Sequence, residues 1–430
     1  MLNFRQIPSL ARMVLGRSGA NATASGRRLD VLSLLTGPRK EPDALLESLR
    51  AHDPLLHLPV IDAWFVTRHA DVRALFGDSR LTSDRSAHKS YRPPTDPAIA
   101  KWTTNMPYRS QCPTAKSPGR RLVAAALTPA ATERTRARIR QVVDEYAHTL
   151  ENRSGTIDLM EEFTSPVSAT VIGRLLGVPP KGDAEARFQK LARNATRTIR
   201  PLLNSRQRLE AEQAVAEICE YVLSLVALRS GCPQPDMISD LLAVNRGEAG
   251  ASEEDIARVV AGLVSAGTGT SGTACARALR TLFRNPDLLD QLRLHPDLVP
   301  AAMEELLRYD SGLLAMPRYA LESFTFQDRA FHRGQMVVLC LHSANHDPEV
   351  FDRPDRIDFA RDNSLALSFG YGAHYCVGSS IARVTLTEML RAALCVIPRG
   401  AQLLEDQVRW SGRGIMGQIK SLPINLGDRQ

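Results

Sequence analysis

The sequence predicts a mainly α-helical fold with a minor β lobe, and three observations carry that expectation. Helical apolar spacing runs from Arg120 to about Thr198 and again from Ser205 to Ser230. A long capped helical pattern extends from Ser252 to about Phe283. Strand-like alternation is confined to short stretches, chiefly 64–67 and 323–342.

Taken in order, Trp64-Phe65-Val66-Thr67 reads as a strand, and Val72, Leu75 and Phe76 follow at helical spacing. Residues 86–119 read as irregular, because Pro93, Pro94, Pro97, Pro107, Pro113 and Pro118 interrupt any periodic pattern. Loops of that length are often binding loops or lids. At the long helix, Ser252 and Asp255 make a capping-box pair with aspartate in place of glutamate. Ile256, Val259, Val260, Leu263 and Val264 form its apolar stripe, and Asn285-Pro286 closes it. Such a helix is roughly 50 Å long, enough to cross a whole domain. In 323–342, Gln327-Asp328 and Arg333-Gly334 separate short strands. No linker divides the chain, so residues 30–430 are expected to form one domain behind an N-terminal extension at 1–29.

That extension holds Arg5, Arg12, Arg17, Arg27 and Arg28 and no acidic residue before Asp30. A transit peptide has this composition; so does the frayed, flexible extension of a soluble chain, which we favour. Over the 430 residues, 43% hydrophobic against 23% charged is ordinary globular composition. No apolar run approaches the ~20 residues of a membrane span. The seven cysteines are scattered and odd in number, which suits reduced thiols in a cytoplasm. Ten dispersed histidines give no zinc-ligand spacing. A net charge of +7 without a basic block, and only 5% aromatic residues, argues against nucleic-acid binding.

The chemistry concentrates near the C-terminus, in Leu367-Ser368-Phe369-Gly370-Tyr371-Gly372-Ala373-His374-Tyr375-Cys376-Val377-Gly378. One cysteine sits in a glycine-punctuated loop just ahead of an apolar helical stretch. Glycines let the backbone turn tightly and leave N–H groups available to a sulfur ligand. The segment resembles the haem-binding loop of the cytochrome P-450 family, and further motifs appear in that family's order. The resemblance covers nearly the whole chain after about residue 40. It implies a fold with haem b between the long central helix and the helix after the cysteine loop, and Cys376 as axial iron ligand. A thiolate in that position favours O–O cleavage.

The remaining site residues follow from the same resemblance. Phe369, Gly370 and Gly378 belong to the loop. His374, Arg318 in Pro317-Arg318-Tyr319-Ala320, and Arg120 resemble the partners of the haem propionates, and Lys116 stands where the family commonly has histidine. Glu305 and Arg308, three apart on a helix, resemble the family's structural Glu-x-x-Arg pair, with Arg356 expected as third partner. The long helix reads Ser265-Ala266-Gly267-Thr268-Gly269-Thr270-Ser271. Gly267, Gly269 and Thr270 fall on the family's oxygen-activating stretch, but Gly269 replaces its acid. Two glycines there cost roughly 1 kcal/mol each relative to alanine, which a close approach to a ligand would explain. The Thr270 hydroxyl could serve oxygen activation, or simply bond its own helix backbone. Leu263, Ala266, Leu313, Leu314, Met316 and Ile415 are expected to line a mainly apolar pocket.

The implied activity is oxidation of a small organic molecule, in specialised-metabolite biosynthesis, with ferredoxin and ferredoxin reductase as electron donors. Monooxygenation leads. The missing acid keeps cyclisation, coupling, desaturation or nitration open, and a non-catalytic activator with this fold is a remoter alternative. Arg187, Lys190, Arg193, Arg197, Arg200, Arg206 and Arg208 make 187–208 strongly basic. That suits either a solvated face or recognition of a carrier-protein-bound substrate. A monomer in the cytoplasm is expected.

Overall fold

The computed structural model describes residues 22–36, 43–104, 122–124, 127–179, 182–199, 204–246, 250–310, 312–410 and 418–427. It opens with two helices, α1 (Ala22–Thr36) and α2 (Asp43–His52). The first runs across residues 29 and 30. Val31, Leu32, Leu34 and Leu35 bury it against Leu46 and Leu49 of the second and against strand residues Leu56, Leu58 and Phe65.

Strands β1 (Leu55–Leu58) and β2 (Ala63–Val66) form an antiparallel hairpin, followed by α3 (His69–Gly77) and β3 (Leu81–Thr82). Within the stretch read as irregular, the chain forms α4 (Pro97–Thr103). Asp96 caps it by accepting from the Ala98 N–H at 2.9 Å, and Pro97 occupies the first turn, where a missing N–H costs nothing. Trp102 buries its other end.

The helical body comprises α5 (Pro129–Glu151), strand β4 (Thr156–Asp158), α6 (Ser165–Leu175), α7 (Asp183–Ala195) with a 3₁₀ turn at Thr196–Ile199, α8 (Ser205–Gly231) and α9 (Met237–Val244). Through it passes α10 (Glu253–Phe283), 31 residues and so roughly 46 Å long. Its capping box forms as the sequence suggests: the Ser252 hydroxyl accepts from the Asp255 N–H at 3.1 Å. Helix α10 is apolar and buried on most sides, as a central helix must be. Next come α11 (Pro286–Leu294) and α12 (Val299–Tyr309).

Strands β5 (Met316–Ala320), β6 (Phe324–Phe326), β7 (Arg329–Phe331) and β8 (Met336–Leu339) build the minor lobe. Its main sheet has the order β1-β2-β8-β5-β3, with β2 and β8 parallel. The β6–β7 hairpin turns on Gln327 and Asp328, both at positive φ. Helices α13 (Leu341–Asn345) and α14 (Ser379–Val396) follow, then the short strands β9 (Gln402–Leu403), β10 (Arg409–Trp410), β11 (Ile419–Ser421) and β12 (Pro423–Asn425). The largest core cluster joins α5, α6, α10, α12 and α14. Mainly helical architecture with small sheets is what the sequence predicts. Among the described residues, no helix is long and apolar enough to cross a membrane.

Candidate active site

The cysteine loop is shaped by two left-handed glycines, Gly370 at φ +74° and Gly372 at φ +69°. At Gly372 a side chain is excluded twice over, because a Cβ would lie 3.1 Å from the Phe76 carbonyl. The Gly370 N–H donates to Leu367 O at 2.8 Å, and the Cys376 N–H donates to Phe369 O at 2.9 Å. These bonds fold the loop back on itself and leave Cys376 half-buried at the entry to α14. Gly378 caps that helix, its carbonyl accepting from the Ala382 N–H. Phe369 lies under the Arg383 guanidinium, 4.5 Å from the ring centre.

The loop hangs from a buried lock. Glu305 and Arg308 are fully buried and joined by two bonds of 2.8 and 2.9 Å. The third member is Arg361, whose Nε donates to Glu305 Oε1 at 3.2 Å. Arg356 is exposed and supplies only its carbonyl. The expectation for Arg356 is therefore corrected: the chain turns so that the later arginine of Asp358-Phe359-Ala360-Arg361 folds inward. From the lock, Arg308 Nη1 donates to Asn345 O at 2.8 Å, and Asn345 Oδ1 accepts from the Leu367 N–H at 2.7 Å. Ser368 completes the chain of bonds, donating to Leu307 O at 2.9 Å. Sequence reading missed Asn345, Ser368 and Arg361.

Beside the loop, Arg318 projects from β5 with its guanidinium 4.7 Å from the Phe76 ring centre. It is 3% exposed, its Nε has no partner, and no carboxylate among the described residues pairs with it. Burial pushes its pKa down to about 10. A buried guanidinium without an anion is costly, and the carboxylate of a propionate-bearing cofactor would complete it. Ser83 Oγ and His374 Nδ1 lie 3.4 Å apart, which brings His374 to the same β3 edge. Burial pushes the Cys219, Cys275 and Cys340 thiols up to about 12, so these are inert core groups beside the half-buried Cys376. The residues present fit haem. Arg120, Lys116 and Ile415 lie outside the described residues.

Midway along, α10 has one open face: Ala266 is exposed and Thr270 is half-exposed. The Thr270 hydroxyl donates to Ala266 O at 2.6 Å, the helix-internal bond that was one of the two expected roles. The glycines face neighbouring elements. A Cβ on Gly267 would lie 3.2 Å from Ile172 Cδ1, and one on Gly269 would overlap the Thr196 γ-methyl. A Cβ on Gly272 would lie 2.9 Å from the Thr164 carbonyl. Close helix packing thus explains Gly267 and Gly269, where the sequence suggested an approach to ligand. Thr268 is buried, and its hydroxyl has no partner among the described residues. Leu263, Leu313 and Met316 are half-buried, whereas Leu314 packs in the core beneath the sheet with Tyr319 and Cys340. In the basic stretch, Arg187 pairs with Glu217, and Arg197 and Arg206 both pair with Glu210. Lys190 and Arg193 are exposed.

Comparison with known proteins agrees with this geometry. A family model described as Cytochrome P450 matches residues 65–394. Cytochrome P450 107B1 of Saccharopolyspora erythraea is 31% identical over 381 residues, covering 85% of this chain and 90% of that protein. Mycinamicin IV hydroxylase/epoxidase of Micromonospora griseorubida is 33% identical, covering 84% and 89%. Among solved structures, P450BioI in complex with a fatty-acyl-ligated acyl carrier protein superposes with a TM-score of 0.79 at 26% identity, covering 90% of this chain and 98% of that one.

Proposed function

Because the chain belongs to the cytochrome P450 family, we propose that it inserts one oxygen atom of O₂ into a small, largely apolar or aromatic molecule in specialised-metabolite biosynthesis. The family's members are haem b monooxygenase-type oxidoreductases, and haem b supplies the oxygen-activating iron. In our reading, electrons come from a ferredoxin and its reductase in the cytoplasm, and the second oxygen atom leaves as water. The domain, which takes in α1 from Ala22 and so begins before the expected boundary at residue 30, acts as a monomer.

The observation that carries this reading is the cradle of Cys376. Its sulfur would hold the iron from a loop fixed through Asn345 and Ser368 to the buried Glu305–Arg308 pair. Arg318 and His374, with Arg120 and Lys116, would hold the propionates. Leu263, Ala266, Leu313 and Met316 would contact substrate. Thr270 keeps its proton on Ala266 O while its oxygen stays available as an acceptor. The unpartnered Thr268 hydroxyl would anchor a water, the proton carrier left where Gly269 replaces an acid.

That replacement favours a second reading: cyclisation, coupling, desaturation or nitration at the same centre. The exposed Lys190 and Arg193 favour presentation of the substrate on an acidic carrier protein, as in the P450BioI complex. The test is turnover with ferredoxin, reductase and ¹⁸O₂ against a panel of free and carrier-bound substrates. Products gaining one labelled oxygen support monooxygenation. Products that only lose two hydrogens support cyclisation, coupling or desaturation, and a nitro product formed only when nitric oxide is supplied with the O₂ supports nitration.

A further inference from the structure

Gly269 lies about a quarter turn around α10 from Thr270, at the border of the open face. Against it stands Thr196, the first residue of the 3₁₀ turn that ends α7. A Cβ on residue 269 would overlap the Thr196 γ-methyl and come within 3.1 Å of its hydroxyl and 3.2 Å of its Cβ. Thr196 is buried, and its hydroxyl donates to Ala192 O at 3.0 Å. Rotating the side chain away would break that bond and leave the buried hydroxyl to find another acceptor. The rest of the arm cannot shift freely either, because Phe188, Ala192 and Ala195 are built into a core cluster with α8 and α10.

We infer that Gly269 is a notch that receives Thr196, and that this fit seats the 183–199 arm directly on the central helix and sets how closely it borders the Thr270 face. Gly269 and Thr196 are then one specificity-determining pair. The acid is absent because the arm occupies the space its side chain would start from. Adding an acid at 269 alone would lift the arm before it could deliver a proton. Both residues act here as positioning residues, on the size of ligand the open face admits.

The inference rests on the P450 reading only for the ligand measurement, and the test separates the two. Hydrogen exchange of residues 183–199 is measured on the haem-loaded, ligand-free protein for wild type, Gly269→Ala, Thr196→Gly and the double variant. Overpacking the notch should speed exchange in the arm roughly tenfold or more in Gly269→Ala, and Thr196→Gly should reverse that in the double variant. On the same proteins, spectral titration should show clotrimazole affinity changing in Gly269→Ala relative to wild type, with imidazole affinity unchanged and the double variant restored. If Gly269→Ala does not fold, recovery of a folded protein in the double variant takes its place as support. Wild-type exchange in the Gly269→Ala arm, or a defect that Thr196→Gly leaves untouched, would overturn the pairing. A protein without a thiolate–haem spectrum would sink the function and leave the exchange result standing.

Discussion

At the scale of the residue, the site is governed by charges that burial makes expensive. No carboxylate among the described residues pairs with Arg318, so Arg318→Met should raise the stability of the haem-free protein by about 1–2 kcal/mol, read as a higher melting temperature. The same change should speed haem loss to an acceptor globin, because the propionate then loses its donor. Wild-type haem retention would contradict the role given to Arg318. His346 is a second such case. Burial, reinforced by neighbouring His342, pushes its pKa down to about 3, so it stays neutral in the fold. The unfolded chain takes up that proton near pH 6.5 and the folded one does not, so stability falls as pH drops from about 6.5 toward 3. Between pH 6.5 and 5 the loss is about 2 kcal/mol, and His346→Asn should flatten that part of the melting curve. An unchanged slope would remove His346 from the account.

At the scale of the element, the decisive feature is the lock that suspends the cysteine loop from α12. Removing one member of a buried pair leaves an uncompensated charge, so Glu305→Ala should cost about 3–5 kcal/mol and abolish stable haem incorporation. The two nearby arginines should separate cleanly. Arg361→Ala should be destabilising, whereas exposed Arg356→Ala should stay within about 0.5 kcal/mol of wild type by denaturant unfolding. Equal effects would return the lock to Arg356. Gly272→Ala should cost about 1–3 kcal/mol, since the added methyl meets a backbone carbonyl that cannot rotate aside. How much of this the sequence disclosed depended on the length of each signal. Helix α10 declares itself through a capping box, a sustained stripe and a closing Asn-Pro. Helix α4 hid among prolines, though Asp96-Pro97 is a cap-and-first-turn signature. Strands β9 to β12 span two or three residues each, too few for alternation to register. The choice of Arg361 over Arg356 is made by how the 351–361 segment folds back, which no spacing rule encodes.

At the scale of the whole molecule, two bodies meet at one place: the helical core through α10, and the strand lobe through β5 and Arg318. The cysteine loop packs against the end of α3 and hangs from α12, and its identity was legible because glycines, histidine and cysteine stand at fixed offsets. The pocket walls were less legible. Leu314 lies in the bend just before β5 and packs into the cluster with Tyr319 and Cys340, a placement no periodicity marks, and the glycines of α10 proved to be seats for neighbouring helices. We propose Cys376 as the axial ligand of haem b. That assignment is tested most directly by reducing the haem-loaded protein under carbon monoxide, with Cys340→Ala as the buried-thiol control and Cys376→Ala as the ligand variant. The account predicts the red-shifted Soret band of thiolate-ligated haem in wild type and Cys340→Ala, and its loss in Cys376→Ala. The same band surviving in Cys376→Ala would contradict it.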